Sequence, residues 1–198
     1  MCMTLPTKLS VLRIVLTFVV MAYLFVPGWA AKASALALFL AACLTDWLDG
    51  YLARRFQQTS PLGALLDPIA DKVLVLGTFL AFVQLRLVPA WMVLVIALRE
   101  FLITGIRFYA ASRRLVLPAA AEGKHKTVSQ MVAIVVILGV LILRELPSAP
   151  WRLDRAQALM GGAVLGCLWV AVVLTVISGA AFFWRHRSVL RYVAGPRP

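Results

Sequence analysis

The chain has 198 residues, 63% of them hydrophobic, with a mean hydropathy of +0.93, a composition too apolar for a soluble globular domain of that length. A net charge of +12 could point to nucleic acid, but in so apolar a chain the distribution of charge about membrane spans explains it better, so no nucleic-acid partner is expected. Cys2, Cys43 and Cys167 are odd in number and form no CxxC or Cys/His pattern, which excludes a disulfide framework and a zinc site.

Six stretches have the length and apolarity of spans: 9–26, 31–56, 62–83, 89–111, 127–143 and 156–184. The fold expected is all-α, one polytopic membrane domain over 1–198 with six transmembrane helices and a basic tail at 185–198. Residues 1–12, with Lys8 and Arg13 close in register, suit either a short amphipathic helix on the membrane surface or a plain lead-in. The first span runs into Pro27-Gly28-Trp29, not a small-residue cleavage site, and reads as a retained anchor.

The second and third spans carry the anomaly. Of the eight acidic residues, Asp46, Asp49, Asp67 and Asp71 fall in apolar segments, where a charge is costly and marks function. Asp46 and Asp49 are three apart on one helix face, and Asp67 and Asp71 are four apart on another. A hairpin through Gln57 to Pro61 would set the two helices antiparallel with both pairs at matching depth. Four gathered carboxylates repel unless cations lie between them, and an all-oxygen donor set suits two divalent cations such as Mg2+ or Mn2+. Two such ions favour displacement at phosphorus. Gly50 and Gly63 would permit close approach of a ligand, Ala53 keeps the face of Asp49 narrow, and Arg54 offers a planar fork to phosphate.

The fourth and fifth spans place Arg99, Arg107, Lys124 and Lys126 near one membrane face, an arrangement suited to a phosphorylated acceptor. Glu100 is expected to pair with Arg107, seven residues on and on nearly the same helix face. His125 and His186 are expected to be lipid-facing or solvated. In the sixth span Gly162 and Gly166 form a small-xxx-small pair, expected to serve packing within the chain or a dimer contact.

With the N-terminus inside, Lys8, Arg13, Arg54, Arg55, Arg107, Arg113, Arg114, Lys124, Lys126, Arg185, Arg187, Arg191 and Arg197 lie inside, against Lys32, Arg86, Arg144, Arg152 and Arg155 outside. This asymmetry predicts both termini in the cytoplasm.

Together these residues spell Asp46-x-x-Asp49-Gly50-x-x-Ala53-Arg54, then eight residues to Gly63, then Asp67 and Asp71, a pattern that resembles the signature (46–71) of the CDP-alcohol phosphotransferase family. The segments around Leu5 to Arg13, Thr45 to Trp47, Asp67 to Lys72, Arg99 to Ile103 and Gly123 to Thr127 are similar to those of the bacterial phosphatidylglycerophosphate synthases, with Ser10 where threonine is more usual. The resemblance implies a homodimeric enzyme of the bacterial inner membrane whose active site faces the cytoplasm. It carries metal ligation onto Asp46, Asp49, Asp67 and Asp71, and the role of general base onto Asp71. Gly50, Ala53, Arg54 and Gly63 correspond to CDP-diacylglycerol contacts. The expected acceptor is glycerol 3-phosphate, bound by Arg99, Arg107, Lys124 and Lys126. The alternatives are another acceptor, such as inositol phosphate or phosphatidylglycerol, and, from a different class, a divalent-cation transporter.

Overall fold

The computed structural model describes residues 5–56, 61–112, 122–147 and 154–187; within these, the side chains of 5–7, 46–56, 61–67, 122–125 and 154–156 lie outside the description. The described residues form six helices: α1 (Leu5–Phe25), α2 (Trp29–Phe56), α3 (Pro61–Gln84), α4 (Ala90–Ser112), α5 (Glu122–Glu145) and α6 (Asp154–Arg185). Each coincides with one expected span to within a few residues. Of the opening segment, residues 5–12 belong to α1, which runs unbroken from Leu5, and residues 1–4 lie outside the described residues.

Three helical segments, Lys8–Phe25, Lys126–Glu145 and Gln157–Arg185, are long and apolar enough to cross a membrane, and Trp29–Thr45 is a shorter apolar stretch. The distribution of polarity is that of a membrane protein. Phe18, Phe101, Leu159, Ile177 and Trp184 point outward, while Ser10, Arg13, Thr17, Gln130 and Thr175 are buried between helices. A lipid surround imposes no cost on the first set, whereas the second must find partners inside.

Helix direction follows from a few contacts. Arg13 meets Asp71 and Thr17 lies against Gly77, so α1 and α3 run the same way. α2 turns back after Gly28, whose φ of +108° suits glycine, and the Lys32 amine returns to the Leu24 and Val26 carbonyls at 2.7 Å each. Arg99 reaches Ser178 and Trp91 meets Trp169, so α4 and α6 are parallel. Odd and even helices thus run in opposite directions, and the start of α1 and the end of α6 share the end of the bundle that holds Asp71.

The core is built from α1 to α6 around Leu24, Phe39, Phe79, Phe82, Ile134 and Leu168. Phe79 and Phe82 meet edge to face at 6.3 Å between centroids. At the end away from Asp71, Glu145 of α5 lies 3.4 Å from Lys32 and accepts the Gly28 N–H, so one carboxylate ties the α1–α2 turn to α5. Lys32, expected in an outer loop, is buried in the first turn of α2. Among the described residues the Gly162–Gly166 pair does not serve packing within the chain, since a Cβ at either position would meet nothing within 4 Å. Close approach occurs instead at Gly77, where a Cβ would stand 2.8 Å from Thr17 Cγ2.

Candidate active site

The polar interior gathers where α3, α4 and α5 meet α1 and α6. α2 and α3 share α1 and α5 as neighbours, and direct packing between the two is sparse among the described residues. The expected hairpin turn, 57–60, lies outside the described residues; among the described residues α2 and α3 are joined mainly through α1 and α5. Asp46, Asp49, Gly50, Ala53 and Arg54 fall on α2, Asp67 and Gly63 on α3, and Lys124 on α5. Their side chains lie outside the described residues, so the site must be built from Asp71 outward.

Asp71 sits on α3 one turn beyond Asp67, with Pro68 between them. Arg13 of α1 donates through Nη1 to Asp71 Oδ1; the arginine side chain is 2% exposed and the aspartate 47%. The buried guanidinium thus fixes one oxygen of a carboxylate that is itself half-exposed. A buried charge of this kind is held in place only by a defined partner. Sequence reading took Arg13 as a topology-setting charge and missed this contact. The available signal was an arginine one full turn inside an apolar run, with Thr17 four residues on; its hydroxyl donates to the Arg13 carbonyl at 2.9 Å.

A second cluster lies beside it. Glu100 of α4 is bridged by Arg99 at 3.3 Å and by Lys126 of α5. Arg99 Nη2 also donates to Ser178 Oγ of α6 at 3.1 Å, and Gln130 donates to Thr175 Oγ1 at 3.1 Å, so α4, α5 and α6 are joined by polar contacts at one depth. The expected Glu100–Arg107 pair is not the arrangement found. Arg107 instead stands over the Phe182 ring, 5.6 Å from its centroid. Seven residues along a helix return to one face but displace the side chain by about 10 Å, whereas Lys126 approaches Glu100 directly from α5. The Nε donors of Arg99 and Arg107 are buried without an acceptor among the described residues. His186, expected to be lipid-facing or solvated, is buried with its ring 4.6 Å from that of Phe182 and Nδ1 3.0 Å from the Phe182 carbonyl.

A cavity of about 150 Å3 joins the two clusters, lined by Asp71, Lys72, Glu100, Thr127 and Gln130 with apolar residues between. A second cavity, about 660 Å3 and almost wholly apolar, runs between α1, α3 and α4 past Phe18, Leu80 and Phe101 and reaches Lys72. A small chamber with polar groups thus adjoins a hydrocarbon-lined groove, with Lys72 and Leu76 lining both and Asp71 on the chamber side. The donor type suits hard cations: Asp71 presents a half-exposed carboxylate to the chamber, and Asp67 precedes it on the same helix.

Comparison with known proteins identifies the family. A family model described as CDP-alcohol phosphatidyltransferase matches residues 3–177. A CDP-diacylglycerol–glycerol-3-phosphate 3-phosphatidyltransferase of Bacillus subtilis is 37% identical over 199 residues, covering 94% of this chain and 97% of the relative. One of the same name from Sodalis glossinidius is 35% identical, covering 96% and 98%. A cardiolipin synthase (CMP-forming) of Oryza sativa is 38% identical over 186 residues, covering 86% of this chain and 56% of the relative. The aspartate signature, the helical bundle and these matches converge, and the chain belongs to the CDP-alcohol phosphatidyltransferase family.

Proposed function

We propose that the chain is a membrane enzyme that transfers a phosphatidyl group from CDP-diacylglycerol to glycerol 3-phosphate, giving phosphatidylglycerol phosphate and CMP. The observation that carries this reading is the junction at Lys72, beside Asp71, where a chamber sized for a small phosphorylated alcohol meets an apolar groove suited to a lipid chain. Family membership removes the cation-transporter alternative.

Asp46, Asp49, Asp67 and Asp71 would hold two divalent cations, Mg2+ or Mn2+. When bound, these ions lower the repulsion among the carboxylates and stabilise charge on the diphosphate oxygens. Gly50, Ala53, Arg54 and Gly63 contact the nucleotide and diphosphate of the donor. Asp71, oriented by Arg13, takes the proton from the primary hydroxyl of glycerol 3-phosphate. That oxygen bonds to the β-phosphorus, the bond from phosphorus to the bridging oxygen breaks, and CMP leaves with its electron pair.

Arg107, Lys124, Lys126 and Arg99 supply positive charge for the acceptor phosphate. Arg99 and Lys126 are already bridged by Glu100, so they contribute mainly through their field and through the buried Nε of Arg99. Arg107 is not bridged by Glu100 and is the principal candidate for direct contact. The six helices would all span the bacterial inner membrane with both termini and the Asp71 end toward the cytoplasm, where the charged substrates are found, and the chain would act as a homodimer.

The test is an acceptor panel. CMP release from CDP-diacylglycerol is measured with glycerol 3-phosphate, inositol phosphate and phosphatidylglycerol, each with Mg2+ and Mn2+. Product with glycerol 3-phosphate supports the reading, and product only with another acceptor overturns it. Asp71→Asn should lower kcat by about 10²-fold or more, as expected for loss of a general base, with donor binding largely retained.

A further inference from the structure

At the end of the bundle away from Asp71, α3 stops in a turn closed by Arg86 N–H to the Val83 carbonyl and Leu87 N–H to the Phe82 carbonyl, both at 2.9 Å. This double closure normally places glycine in the left-handed position, yet here Arg86 occupies it with φ 57°. A long charged side chain held against the backbone preference points to a task for the charge.

Arg86 lines a cavity of about 570 Å3 together with Arg144 of α5. The remaining wall is largely apolar, formed by residues such as Leu87, Ile137, Leu141 and Leu165, and among the described residues none that lines it is acidic. Glu145, next to Arg144 in the chain, is engaged by Lys32 and the Gly28 N–H. The first turn of α4, beginning at Ala90 on the same wall, adds the partial positive charge of a helix start. Two guanidinium forks above hydrocarbon walls match an esterified phosphate carrying an acyl chain, since arginine recognises phosphate in a planar, bidentate manner and the walls gain by covering apolar surface.

We propose that this cavity binds an anionic membrane phospholipid, its phosphate held by Arg86 and Arg144 and the start of one acyl chain between α3, α5 and α6. The site is about 20 Å along the bundle from Asp71 at helical rise, so it is separate from the transfer site. Gly161 forms part of the cavity wall, and a Cβ there would meet nothing within 4 Å, so a larger residue can fill the void without displacing neighbours.

The test is lipid retention by the full chain in native mass spectrometry, titrated with phosphatidylglycerol, phosphatidylcholine or inorganic phosphate. Wild type should hold one more phosphatidylglycerol than the Arg86→Gly/Arg144→Gln variant, whose affinity at this site should be about 30-fold weaker, as expected for two lost basic contacts. Arg86→Gly suits the local backbone, so the variant should fold. Gly161→Leu should exclude the same lipid by volume, with CMP release unchanged in both variants. Equal retention of phosphatidylglycerol by wild type and both variants overturns the proposal, as does equal binding of phosphatidylcholine. Displacement of the lipid by millimolar phosphate alone would assign the site to a free anion and overturn the lipid reading.

Discussion

Arg13, on the first helix, is buried to 2% exposure and donates to Asp71 on the third, so the carboxylate at the centre of the candidate site is oriented by a residue 58 positions away. Arg13→Met preserves much of the side-chain volume and removes the donor. The expected result is a loss of about 10- to 100-fold in kcat or in activation by metal, the range for removal of a residue that orients a ligand or base. Steady-state kinetics at several Mg2+ concentrations would check it. Unchanged kinetics would assign Arg13 a purely structural role.

Glu100 pairs with Arg99 and Lys126 at once, and its replacement leaves two cations facing each other in the bundle. Glu100→Gln should therefore destabilise by about 3 kcal/mol, as breaking a buried pair does. Arg107→Gln should leave thermal stability nearly unchanged and raise KM for glycerol 3-phosphate, because Arg107 is not held by Glu100. Thermal unfolding in detergent alongside acceptor titrations distinguishes the two variants.

Gly77 faces Thr17 at a distance that admits no Cβ. Gly77→Ala should cost about 1 to 3 kcal/mol through overpacking. Thr17→Ser deletes the opposing methyl while keeping the hydroxyl that reaches the Arg13 carbonyl. The double variant should recover most of the loss, a coupling readable in a double-mutant cycle. Additive losses would show that the α1–α3 contact does not set the helix spacing.

Removal of divalent cations by a chelator should abolish CMP release, and Mg2+ or Mn2+ should restore it, because four carboxylates in one apolar region need cations to share a site. Activity that persists in excess chelator would overturn the two-cation reading.

The sequence by itself determined the helices and the kind of chemistry. Six apolar runs separated by Pro27-Gly28, Pro89 and the other turn signals coincide with α1 to α6, because span length and helix breakers act locally. Asp46, Asp49, Gly50, Ala53, Arg54, Gly63, Asp67 and Asp71 could be read together because helical spacing of three and four keeps neighbours on one face. Partner choice was decided only by tertiary structure. Arg13 looked like a topology charge until α1 was set beside α3, and Glu100 was assigned to Arg107 along its own helix until α5 presented Lys126. Lys32 moved from an outer loop to a buried clamp on α1 and α5. In each case a long cationic side chain selects among acceptors on several helices, and periodicity along one helix carries no information about what a neighbouring helix brings to the same depth.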